Sequence, residues 1–268
     1  MKSDLLLSNS TKTVMITGGS GGLGFELARQ FAKDKYRIVL IARNEGNLKK
    51  AASSLEEEFD ADVKVFSCDL SDIAAVDGLY YLLENQAVHI DVLVNNAGTG
   101  TYGLFQDTDM DAEQIMMQLN MITLVKLTKL FLKPMIKKGE GRILNIGSIC
   151  SFQPVPRLNI YAASKAFVLS FSESLRNEVK NTGVIVSTLC PGTFLSQFQE
   201  TANMKNSANL NAKLMTSAVI AEKGYKGFMK NQPVIVPGFM DRVNAVFAKI
   251  LPRNLIVKLS GHSIREVA

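Results

Sequence analysis

Seven short runs of β-branched and apolar residues recur along the chain: TVMIT (13–17), RIVLIA (37–42), VKVFS (63–67), DVLVN (91–95), RILNIG (142–147), VIVSTLC (184–190) and PVIVP (233–237). A strand with one face in water alternates polar and apolar side chains, whereas these runs are nearly continuous and need cover on both faces. The segments between them, such as NEGNLKKAASSLEEEF (44–59), are amphipathic and long enough to be crossover helices, which join parallel neighbours. The pattern predicts an α/β fold: a doubly wound parallel sheet of about seven strands with helices on both faces. With 47% hydrophobic residues in 268, one domain over residues 1–268 has a sufficient core. Two stretches break the rhythm, 193–217 and the tail after Gly238. The first is expected to be a substrate lid and the second, 239–268, an amphipathic basic extension.

Directly after the first run comes TGGSGGLGFELARQFA (17–32), a glycine-dense turn opening a helix. A Rossmann-like sheet receives a dinucleotide pyrophosphate at this place. By position, Gly18 permits the tight turn, Gly22 the close approach of backbone to phosphate, and Gly24 the close packing of helix on strand. The second run ends in Ala42 and then Arg43. An acidic residue there would accept from ribose hydroxyls, whereas a guanidinium matches a 2'-phosphate, so the cofactor expected is NADP(H). Asp69 in CDLS, after the third run, can accept from an adenine amino group, and NNAG (95–98) would line the adenine side.

In NIYAASKAF (159–167), Tyr161 and Lys165 stand four apart and so share one helix face. A cation beside a phenol favours the phenolate and draws it towards proton transfer near neutral pH.

Taken together, these segments resemble the short-chain dehydrogenase/reductase family in its single-domain form of about 250 residues, from about Lys12 to Gly238. TGGSGGLG stands for the TGxxxGxG loop, followed in order by CDL, NNAG, Asn120 in the next helix, NIGS ending at Ser148, YAASK, and the pair Pro191–Gly192. The family usually has NISS where this chain has NIGS, and the serine kept is the one thirteen residues before the tyrosine. The resemblance implies that Tyr161 is general acid in carbonyl reduction and general base in the reverse. Lys165 would lower its pKa and hold the nicotinamide ribose, Ser148 would hold the substrate oxygen, and Asn120 would hold a relay water. Cofactor contacts are implied for Gly18, Ser20, Gly22, Leu23, Gly24, Arg43, Asp69 and Leu70, then Asn96, Ala97, Gly98, Tyr161, Lys165, Pro191 and Gly192. Ser196 takes the place of the family's threonine near the carboxamide. A homodimer or homotetramer through the helices bearing Asn120 and Tyr161 is implied in the same way.

The stretches after the catalytic strand ends, GTGTYGLF (98–105), SICSFQPVP (148–156) and PGTFLSQFQE (191–200), carry Tyr102, Phe105, Cys150, Phe152, Phe194 and Phe198. This wall suits a hydrophobic ketone or secondary alcohol. A steroid or bile-acid-like group is the first expectation, a 3-oxoacyl thioester the alternative, and a non-catalytic NADP-binding sensor or scaffold the reading from a different class.

Net charge is +5, and the stretch 241–268 holds Arg242, Lys249, Arg253, Lys258 and Arg265 against Asp241 and Glu266. No basic stripe is interleaved with aromatics, so no nucleic-acid partner is expected. Cys68, Cys150 and Cys190 are scattered, and His89 and His262 stand apart, which suggests neither disulfides, a metal nor a Ser-His-Asp triad. The leading MKSDLLLSNSTK holds too short an apolar run for a signal peptide, and a cytoplasmic protein is expected. The tail alternates apolar and basic residues at helical spacing, broken by Pro252. Packing on its own domain or on a neighbouring subunit is preferred for it, without stable membrane insertion; peripheral membrane contact is the other option.

Overall fold

The computed structural model describes residues 11–195 and 214–263. From the N-terminal side the elements are β1 (Thr13–Thr17), α1 (Gly22–Lys33), β2 (Arg37–Ala42), α2 (Glu45–Phe59), β3 (Val63–Ser67), α3 (Ile73–Asn85) and β4 (Val92–Asn95). One long helix follows, made of α4 (Met110–Met117), a π-helical turn (Gln118–Thr123) and α5 (Leu124–Lys138). Then come β5 (Gly141–Ile146), a 3-10 turn (Ile149–Phe152), α6 (Asn159–Glu178), β6 (Val184–Leu189) and the short β7 (Phe194–Leu195). The chain resumes at β8 (Met215–Thr216), α7 (Ser217–Met229), β9 (Val234–Ile235), α8 (Phe239–Ile250) and α9 (Arg253–Ser263).

Seven strands form one parallel sheet in the order β3-β2-β1-β4-β5-β6-β9, and β7 pairs with β8 in a separate parallel ribbon. Because successive side chains point to opposite faces, each apolar run supplies two cores. Met15, Val39, Leu93, Ile143 and Val186 lie in register across the sheet and pack with Leu79 and Leu83 of α3 and Leu127, Phe131 and Met135 of α5. Ile16, Leu40, Val94 and Leu144 form the opposite row, against Leu27 and Phe31 of α1, Leu48 and Leu55 of α2 and Phe228 of α7. Each such fully buried side chain contributes roughly 1.5–3 kcal/mol. Asn44, Asp72, Asp109 and Thr216 cap α2, α3, α4 and α7 by accepting from first-turn amides, which sets where each helix begins.

The chain leaves β1 towards β2 and leaves β4 towards β5, so the loops after these two adjacent strands diverge. A crevice opens between them at the carboxyl ends of the strands, the position where doubly wound sheets bind ligands. The continuous helix Met110–Lys138 is long and apolar enough to cross a membrane by length and composition; here its Leu127, Thr128, Phe131 and Met135 are buried towards the sheet. Most of the stretch 193–217 lies outside the described residues, with β7 leading in and β8 leading out.

Candidate active site

A cleft of about 1280 Å³ occupies the crevice. Its floor is the turn after β1, where Gly18 and Gly22 take φ of +64° and +54°, a region that side chains with a Cβ rarely adopt. A Cβ on Gly22 would meet nothing within 4 Å, so bare backbone faces open space; one on Gly24 would stand 2.3 Å from the Gly18 carbonyl oxygen. Thr17 clamps the turn to the NNAG segment: its Oγ1 accepts from the backbone N–H of Asn96 (3.0 Å) and Ala97 (2.9 Å). Asn96 returns the contact, donating from Nδ2 to the carbonyls of Thr17 (2.9 Å) and Gly18 (3.2 Å). Ser20, Leu23, Ala97 and Gly98 join Gly18 and Gly22 in the wall. The exposed turn, the open space above Gly22 and the size of the cleft fit a bound dinucleotide with room for a second molecule.

At one end stand Arg43, just after β2, and Asn47 and Lys50 from α2. Ser67 donates to the Arg43 carbonyl (2.8 Å) and pins the strand end. Asp69 and Leu70 line the same region; Asp69 accepts from the Ser71 amide (3.0 Å) and hydroxyl (2.7 Å). Those bonds, and the Arg43 charge after them, hold its carboxyl below the ordinary range. Lys50 was not singled out from the sequence, where it sits in the LKK run of a helix; only the fold brings it to the wall of the same cleft as Arg43. Thr17 was also missed, although its place immediately before the glycines was a signal.

At the other end Ser148, Tyr161 and Lys165 come together from β5 and α6. Ser148 hydrogen-bonds the Tyr161 hydroxyl and also accepts from the Cys150 amide (3.1 Å), so it both caps the 3-10 turn and faces the phenol. The Ser148 amide donates to Ser151 Oγ (3.1 Å), and that hydroxyl donates to the Lys165 carbonyl (2.8 Å), tying the serine loop to α6. Lys165 Nζ donates to the Ile146 carbonyl (2.9 Å) and lies 5.8 Å from the Tyr161 ring centroid. The spacing alone suggests a phenol drawn down by its lysine, but burial dominates both groups here. It pushes the Tyr161 phenol above its ordinary value, opposed only by the Ser148 bond, and pulls Lys165 down to about 8.

Asn120 sits in the π-helical turn, a feature common at functional positions. Its amide is committed to the protein: Nδ2 donates to the Thr99 carbonyl (3.0 Å) and Ser164 Oγ (3.1 Å), and Oδ1 accepts from the Thr99 amide (3.1 Å). A Cβ on Gly98 would stand 2.9 Å from Asn120 Oδ1 and 3.5 Å from Lys165 Nζ, which places these three residues side by side.

Tyr102, Cys150 and Phe194 line the cleft, as do Pro191 and Gly192, and the Pro191 carbonyl accepts from Ile149 (2.8 Å). Two expected wall residues point elsewhere. Phe152, at the far end of the 3-10 turn, lies under the Lys249 amine of α8 (5.7 Å to the ring), and Phe105 is 61% exposed. The Arg157 guanidinium stands 6.0 Å over the Tyr102 ring. Ser196 and Phe198 lie outside the described residues.

Known proteins resemble this chain in sequence and in fold. The sequence model of the short chain dehydrogenase family matches residues 12–207. The ketoacyl reductase HetN of Nostoc sp. is 31% identical over 226 residues, 84% of this chain and 78% of that protein. The very-long-chain 3-oxoacyl-CoA reductase of Rattus norvegicus is 30% identical over 254 residues, 91% of this chain and 77% of its own length. Among solved structures, a short-chain dehydrogenase from Sphingobium yanoikuyae in complex with NADPH superposes with a TM-score of 0.81 at 28% identity, covering 96% of this chain and 97% of the other. A glycine turn at the sheet's switch point, a serine, tyrosine and lysine gathered at one end of its cleft and these matches agree, and the chain belongs to the short-chain dehydrogenase family.

Proposed function

We propose that this oxidoreductase uses NADP(H) to interconvert a hydrophobic ketone and its secondary alcohol, with apolar 3-oxoacyl thioesters as the leading substrate class. The carrying observation is one cleft with Arg43 and Lys50 at one end and Ser148, Tyr161 and Lys165 at the other. When bound, the reduced nicotinamide supplies a hydride to the carbonyl carbon. Tyr161 supplies the proton to the carbonyl oxygen, and its burial keeps the phenol protonated at neutral pH, the form that reduction requires. Ser148 accepts from the Cys150 amide and shares a hydrogen bond with the Tyr161 hydroxyl; with substrate bound, its O–H turns to the substrate oxygen, where negative charge develops. Lys165, beside Tyr161, is placed to replace the lost proton and would hold the ribose of a bound cofactor. Both Asn120 Nδ2 hydrogens are held by the protein and Oδ1 accepts from the Thr99 amide, so a relay water there would take the second lone pair of Oδ1 or a main-chain carbonyl of the π-turn.

Substrate choice rests on the wall and the relatives. Tyr102, Cys150 and Phe194 offer an apolar surface, the relatives named above act on ketoacyl and 3-oxoacyl groups by their names, and Arg157 beside Tyr102 puts a cation near an anionic carrier. No comparable support favours a steroid or bile acid over these. A nicotinamide absorbance assay over 3-oxoacyl thioesters, steroids, bile acids, sugars and quinones is expected to give the highest kcat/KM with an acyl thioester. A steroid winning by tenfold would replace that substrate class, and turnover of none would favour a cofactor-binding scaffold. We also propose a cytoplasmic homo-oligomer joined through α4–α5 and α6, whose Ile122, in the π-turn, and Phe167 are exposed.

The cofactor choice has its own test. Arg43→Asp is expected to lower kcat/KM for NADPH by about 10²-fold, since a bidentate cation becomes an anion facing a phosphate, while changing NADH use little. Lys50→Ala is expected to act in the same direction with a smaller effect. An unchanged NADPH/NADH ratio in Arg43→Asp would refute the assignment.

A further inference from the structure

The last two helices are built inside out. At 3.6 residues per turn, Phe239, Met240, Val243, Val246, Phe247 and Ile250 of α8 fall within an arc of about 120°. That arc faces away from the domain: Phe239 is 75% exposed, Ile250 73%, Met240 64%, Val246 56% and Phe247 53%. The opposite side holds Ala245, Ala248 and Asp241, which pack on the body. Asp241 lies so close to Gly192 and Gly238 that a Cβ on either would stand 2.3 Å or less from its carboxylate. After Pro252, α9 buries Ile256 and Ser260, whose hydroxyl donates to the Pro154 carbonyl (2.8 Å), and leaves Leu255 and Leu259 exposed.

We propose that α8 and α9 dock the protein on an anionic phospholipid bilayer surface. Charge selects this occupant. Among the described residues after Gly238, the exposed charges are Arg242, Lys249, Arg253 and Lys258, while the one carboxylate, Asp241, is turned inward. Arg242 and Lys249 flank the apolar arc of α8 along one edge, the arrangement of a helix lying in an interface with its apolar face among acyl chains and its cations at the headgroups. A two-fold interface with a second copy would set these four cations against the same four, with no outward carboxylate among the described residues of the two helices to separate them. A nucleic acid would satisfy the cations and leave large apolar side chains in water. The docking also has a direction. Asp241 packs on Gly192, Lys249 on Phe152 and Ser260 on Pro154, so the helices are fixed to the loops bordering the catalytic end of the cleft. That end is thereby brought to the lipid surface.

The whole chain, co-sedimented with vesicles of phosphatidylcholine alone or of equimolar phosphatidylcholine and phosphatidylglycerol, is expected to pellet with the anionic vesicles and to remain in solution with the neutral ones. Two variants separate the contributions without touching the cleft: Phe239→Ser/Phe247→Ser/Ile250→Ser and Arg253→Glu/Lys258→Glu. Each is expected to weaken partitioning onto anionic vesicles by at least about tenfold, and raised salt is expected to weaken the wild type. All the altered side chains are exposed, so both variants are expected to keep the wild-type Tm. Equal pelleting with neutral and anionic vesicles, or none with either, overturns the proposal. So does light scattering that shows the triple-serine variant falling from a dimer to a monomer while neither form binds vesicles, which would assign the face to a second copy.

Discussion

Tyr161→Phe is expected to lower kcat for ketone reduction by roughly 10²- to 10⁴-fold while leaving the Kd for NADPH within about twofold of wild type. Only an oxygen is removed, from a side chain whose ring shapes the cleft, and the neighbouring Ser148 keeps its bond to the Cys150 amide. The serine loop also stays fastened to α6 through Ser151, so the local fold survives the change. Without the phenol, charge developing on the substrate oxygen meets Ser148 alone, which can donate a hydrogen bond but has no route to a replacement proton. Single-turnover absorbance with saturating cofactor and fluorescence titration of NADPH separate the two effects. A variant that turns over at the wild-type rate would remove Tyr161 from the chemistry. A variant that loses cofactor affinity and rate in equal measure would make it a binding group.

The sheet was legible because its strands are apolar on both faces: all five residues of TVMIT are buried, and nothing but a central parallel strand demands that. Where a run carried an exception, the strand shortened. PVIVP pairs only through Val234 and Ile235, since its two prolines cannot donate to a ladder, and it stands at the sheet edge. DVLVN forms its strand from Val92, with Asp91 at its threshold: the Asp91 amide donates to the Thr13 carbonyl (2.9 Å), its carbonyl accepts from the Arg142 amide (3.0 Å), and its carboxylate accepts from the Thr13 amide (2.8 Å). Site residues within contiguous motifs were equally readable, since Tyr161 and Lys165 need only one helix to meet. Lys50 was not, because its place in the cleft wall depends on how α2 packs. Phe152 shows the limit of proximity in sequence: two residues beyond Cys150, it is carried by the tight 3-10 turn to the side facing α8. The stripe on α8 was visible as periodicity, but periodicity does not say which side faces the core. Small side chains at Ala245 and Ala248 with Asp241 let that helix approach Gly192 and Gly238 closely, and the large ones are left outside.

Lys165→Met is expected to destroy activity and, at pH 7, to raise the Tm. The lysine is 6% exposed, and burial pulls its pKa from 10.5 to about 8, a change worth roughly 3 kcal/mol. Because the folded value lies below the unfolded one, the unfolded chain binds more protons between about pH 8 and 10.5, and this group makes stability rise with pH across that window. Below about pH 8 the full cost of holding a buried cation is present. Methionine removes that cost at similar volume, and the Ile146 carbonyl it leaves without its donor takes back about 1–2 kcal/mol. The net gain near neutral pH is therefore about 1–2 kcal/mol, falling to a loss near pH 10.5, where the wild-type amine is neutral and still bonded. Other titrating groups cancel in the difference between the two proteins, so the slope of that difference belongs to Lys165 alone. Thermal unfolding of both from pH 7 to pH 10 reads it directly, and a difference that does not change with pH would refute the buried cation. A fall of the difference with rising pH, joined to the loss of turnover, means that the fold carries an ammonium it would be more stable without. The proton supply to Tyr161 is what that ammonium provides in return.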